Sequence, residues 1–111
     1  MSAPSKSLLF IADCPARNGA TAAELLEMLL SAATFGLPTA LLLRGTGLSL
    51  LNDGLCSRHL SDLPVYGVRD LYVDRDDLAH WRNLHVPDTV TPLSGAGILD
   101  LYRQYDRIIQ P

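Results

Sequence analysis

Lysine is almost missing from this chain: Lys6 is the single one in 111 residues. The nine basic residues stand one by one among twelve acidic ones, giving a net charge of −3. A nucleic-acid backbone is held by clustered Lys and Arg, so direct binding to RNA or DNA is not expected. Lysine is also depleted in interface cores, so a low-lysine, leucine-rich surface fits one that another subunit covers, although a compositional bias of the genome would leave the same mark. Cysteine is scarce too. Cys14 and Cys56 have no C-x-x-C spacing, which argues against a zinc knuckle or a disulfide framework. His59, His80 and His85 lack the i, i+4 pairing of a helical metal site, so each reads as a surface or capping residue and neither metal nor cofactor is expected. No apolar run approaches the roughly 20 residues of a membrane span, and no basic segment with a cleavable apolar stretch precedes the first strand. A soluble, cytoplasmic protein is the expectation. No repeat, linker or low-complexity tract divides the chain, so residues 1–111 form one domain, with residues 1–5 expected to be flexible.

What is present is organised around Lys6 to Arg44. An apolar run, Ser7 to Ala12, leads through a loop, Asp13 to Gly19, into a long apolar-periodic segment and then a second apolar run, Thr39 to Leu43. The middle segment is too long for a hairpin, so the unit reads as a right-handed βαβ crossover. Both runs are continuously apolar, which parallel strands buried on both faces require. Thr21 and Glu24 have the spacing of a capping box at the helix start. Leu25, Met28, Leu29, Ala32 and Ala33 form its buried stripe, and Gly36 with Pro38 ends it.

The remainder repeats the alternation. Gly45-Thr46-Gly47 opens a short segment ending at Asn52-Asp53-Gly54 and reads as a strand-to-helix turn; the fuller spacing of a phosphate cradle is missing. Cys56 to Tyr66 reads as a short helix or irregular turn, and Arg69 to Val73 as a third strand. Asp74 and Asp77 flank a third helix that buries Leu78, Trp81 and Leu84. A brief fourth strand lies between Val86 and Pro92. A last helix opens at Ser94 and turns Ile98, Leu101, Tyr102 and Tyr105 inward, before a fifth strand at Asp106 to Ile109. The fold class is therefore α/β: a single flavodoxin-like, three-layer domain with a five-stranded, mainly parallel sheet and helices on both faces.

Cys14-Pro15 after the first strand, Leu26 to Phe35 in the helix, Leu37-Pro38 before strand two, and Gly47-Leu48 through Leu51 follow one another in a familiar order. Over the whole chain this order resembles the DsrE/DsrF family of small sulfur-relay proteins. Leu63-Pro64-Val65-Tyr66-Gly67-Val68 and the closing Tyr105-Asp106-Arg107-Ile108-Ile109 are similar to the TusC/DsrF branch. The resemblance implies a heterohexamer with DsrE/TusD-like and DsrH/TusB-like partner subunits, passing persulfide sulfur toward wobble-position 2-thiouridine or through sulfur oxidation. A chain expressed alone could form homo-oligomers through the same surface. Transpersulfidation needs an exposed thiolate of lowered pKa. The family's carrier cysteine sits just after strand three, and the matching residue here is Asp74, which cannot carry sulfur. The resemblance thus implies a subunit that is not an enzyme on its own.

Cys14 and Cys56 remain as candidate thiols. Cys14 lies at the edge where open α/β sheets bind ligands and near a helix N-terminus, yet Asp13 beside it opposes a thiolate. Arg17, Arg44 and Arg58 are candidates for binding an anionic sulfur species or a partner carboxylate. Two other readings stay open. One is a stand-alone sulfurtransferase with Cys14 as persulfide carrier. The other is a flavodoxin-like small-molecule binding module using Gly45-Thr46-Gly47.

Overall fold

The computed structural model describes residues 7–13, 19–51, 60–68, 70–81 and 84–110, with backbone alone for 19–23. Five parallel strands form one sheet: β1 (Leu8–Ala12), β2 (Thr39–Leu43), β3 (Asp70–Asp74), β4 (Val90–Leu93) and β5 (Arg107–Ile109). Their order is β4-β3-β2-β1-β5. The first four strands step one way across the sheet, and the chain then crosses back to lay β5 on the other side of β1.

Alternation along the strands sorts side chains into two cores. Phe10, Ala12, Leu41, Leu43, Leu71 and Val73 face one side, where they pack against α1 (Gly19–Thr34) and two 3-10 helices, Gly45–Leu51 and Leu63–Tyr66. Leu9, Ile11, Ala40 and Leu42 face the other side, covered by α3 (Gly95–Gln104) through Ile98 and Leu101. The expected three layers are present. They are unequal: among the described residues, three successive crossovers pack on one face and the β4-to-β5 crossover on the other.

Chain ends of elements follow local chemistry. α1 starts at Gly19, so Thr21 lies within its first turn and not at its cap as the spacing had implied. It stops where Gly36 adopts φ 80°, with the Gly36 amide donating to Ala33 and the Leu37 amide to Ala32, a Schellman closure. Met28, expected in the stripe, is 42% exposed. The third helix, α2, is the single turn Arg75–Leu78. Trp81 and Leu84 still pack on the larger core, but from chain beyond that turn. In β4, Pro92 lies in an edge strand that pairs only with β3, where a missing amide costs no ladder bond and blunts the outer edge. Asp106, expected in the last strand, precedes β5. It clasps Ser7: its carboxylate accepts from the Ser7 amide at 2.8 Å and its own amide donates to Ser7.

Candidate functional site at the carboxyl edge of the sheet

In an open parallel sheet, ligands gather beyond the carboxyl ends of the strands where the strand order reverses. Here that point lies between β1 and β5. Asp13 stands just past β1 and Gln110 just past β5, and the Gln110 amide donates to the Asp13 carboxylate at 3.3 Å. The Thr46 hydroxyl donates to the Asp13 carbonyl at 2.8 Å, holding the second crossover against the same corner.

Continuing the parallel register one residue beyond the strands sets Asp13 beside Arg44, and Arg44 beside Asp74. This acid-base-acid row forms no ion pair: among the described residues the one pair within 4.0 Å is Arg103–Asp100. Each side chain has another partner. Arg44, half-buried, donates to the Tyr102 hydroxyl of α3 at 2.7 Å. Asp74 is the N-cap of α2, its Oδ1 accepting from the amides of Asp76 at 2.9 Å and Asp77 at 3.2 Å. The Asp77 carboxylate accepts from the Gly45 amide at 2.7 Å, tying α2 to the turn after β2.

That last bond bears on Gly45-Thr46-Gly47. The Gly45 amide serves the Asp77 carboxylate and the Gly47 amide serves the Arg44 carbonyl, so both are already engaged within the chain and not turned toward a bound phosphate. Gly47 is needed for packing: a Cβ there would meet the Ala12 carbonyl oxygen at 1.9 Å. Gly45 has φ 54°, in the region that favours glycine. The geometry is that of a tight strand-to-helix turn.

On the α3 face, Tyr105 and Tyr72 pack beside Asp70. Burial first, then the Asp70 charge, the neighbouring Tyr72 and a hydrogen bond to Asp70 push the Tyr105 phenol up to about 12. Burial and Asp70 also raise Tyr72. Both phenols therefore keep their protons at neutral pH and act as packing and hydrogen-bonding groups, not nucleophiles. The sequence turned Tyr102 and Tyr105 inward, but the Arg44–Tyr102 and Tyr105–Asp70 partnerships escaped it. Their signal was strand parity: 70, 72 and 44 share the face that α3 covers.

Cys14, Cys56, Arg17, Arg58 and His59 lie outside the described residues. His80 and His85 are exposed, and among the described residues no group of three or more His, Cys, Asp or Glu could hold a metal ion. Nor is any described helix long and apolar enough to cross a membrane.

No protein-family model matches the chain, and no curated protein does. Among solved structures, the chain is similar to the ychN protein from E. coli, with a TM-score of 0.78 over 96% of this chain and 99% of that one. The sequences are 12% identical, so what the two chains share is the fold.

Proposed function

We propose that the chain is a non-catalytic subunit of a sulfur-relay complex of the TusBCD/DsrEFH type. The observation that carries this reading is the state of Asp74. At the position matching the family's carrier cysteine, the amides that would stabilise a thiolate are bonded by the chain's own carboxylate. The neighbour's DsrE/DsrF-like fold supports the wider family. On this reading the sulfur rides on the thiols of DsrE/TusD-like and DsrH/TusB-like partners, in the cytoplasm. The product is wobble-position 2-thiouridine or an intermediate of sulfur oxidation, according to the partners. This subunit supplies shape and contact surface, and it touches no nucleic acid itself.

Sulfur transfer by the reconstituted complex tests it. Replacing Cys14 and Cys56 together by serine is expected to leave the transfer rate nearly unchanged. A collapse of transfer in the double variant would instead make one of these thiols a carrier.

A further inference from the structure

On the α1 side of the sheet a trough lies between α1 and β1, the strand that β5 borders on its other edge. It has a volume of about 530 Å³. Leu8, Phe10 and Ala32 supply apolar walls, Met28 adds a 42% exposed thioether, and Glu24 and Glu27 are exposed along it. Among the described residues, neither glutamate has an ion-pair partner. In α1 they lie three apart, with Met28 four residues after Glu24, so all three share one side of the helix. The described residues thus present an apolar channel with two exposed carboxylates on its rim.

We propose that this trough docks an amphipathic helix of a different protein, one that sets Lys or Arg beside an apolar stripe. The shape supports a helix: the trough lies alongside α1, where a neighbouring crossover helix would pack in a sheet covered more fully on this face. The charges select the occupant. As a helix donor, a second copy offers little to Glu24 and Glu27: α1 contains no basic residue, α3 contains only Arg103, which pairs with its own Asp100, and Arg75 lies on α2, a single turn with no buried apolar stripe to lay in the trough. Methionine on the wall suits such a role, since its flexible thioether adapts to an incoming apolar side chain. The docking surface is independent of the sulfur reading.

The test uses the intact chain, labelled with ¹⁵N, and two synthetic peptides of 18 residues. They share one leucine stripe at helical spacing and differ in carrying Lys and Arg, or Glu, on its flanks. The basic peptide is expected to shift amides of Leu8, Phe10 and residues 24–32, and to bind more weakly as salt rises. Glu24→Lys with Glu27→Lys should weaken it about tenfold or more, as loss and reversal of two exposed charge contacts implies. Both side chains are exposed, so the variant is expected to fold, and its amide spectrum verifies this directly. Met28→Glu provides a second variant, which should block the apolar stripe and weaken the same peptide. Equal binding of the acidic peptide, shifts centred elsewhere, or unchanged affinity in both variants would overturn the proposal. Concentration-dependent shifts of these same amides without peptide would overturn it too, by assigning the trough to a second copy.

Discussion

Asp74 caps its own helix, and in the proposed relay role that cap is what closes the carrier position. Its carboxylate occupies the two amides at the start of α2, and Arg44 lies next to it in the register of the adjacent strand. Asp74→Cys, made with Cys14→Ser and Cys56→Ser, places a thiol at that helix start. It should alkylate at neutral pH faster than a free cysteine of pKa about 8.5, read by mass spectrometry of iodoacetamide adducts. Equal rates would mean that the position does not favour a thiolate. Tyr105 gives a second residue-scale expectation. Its phenol titrates near 10 when unfolded and at about 12 in the fold, so the fold favours the protonated form. That contribution is fully present below pH 10 and is lost as pH rises toward 12. Urea unfolding across this window should show stability falling for the native chain and falling less for Tyr105→Phe.

At the scale of elements, the glycines separate two kinds of constraint. Gly47→Ala forces a methyl into the Ala12 carbonyl, which is backbone and cannot swing away, and should cost about 1–3 kcal/mol or more. Gly95→Ala, in the first turn of α3 with open space around it, should be neutral or stabilise by up to about 1 kcal/mol. Thermal denaturation of the pair checks both. The strands were legible in the sequence because continuous apolar runs have few alternatives, and α1 was legible at its end because Gly36 and Pro38 punctuate it. α2 was overdrawn: Leu78, Trp81 and Leu84 keep helical spacing and do meet the larger core, but the helix ends at Leu78, and Trp81 and Leu84 lie outside it. The candidate site was half legible. Asp74 as a cap follows from sequence, whereas the Gly45–Asp77 and Arg44–Tyr102 bonds join residues 32 and 58 apart, which no local pattern encodes.

At the scale of the molecule, the two faces are covered unequally. Among the described residues, α1, two 3-10 helices and α2 share one side, while α3 covers the other, with Leu99 59% and Ile108 45% exposed. With the proposed relay role, this predicts that the chain is recovered from its host in company. A native mass spectrum of material purified under non-reducing conditions should show two other small subunits, with any sulfur adduct on them. Recovery as a lone chain or homo-oligomer bearing one extra sulfur atom would point to a self-sufficient carrier.

The clasp between Ser7 and Asp106 spans 99 positions of sequence and fastens β1 to β5. β1 is a central strand whose second neighbour is made last. During synthesis one edge of β1 must therefore stay unpaired until residues 107–109 have left the ribosome, so the sheet closes late and through its most distant contacts.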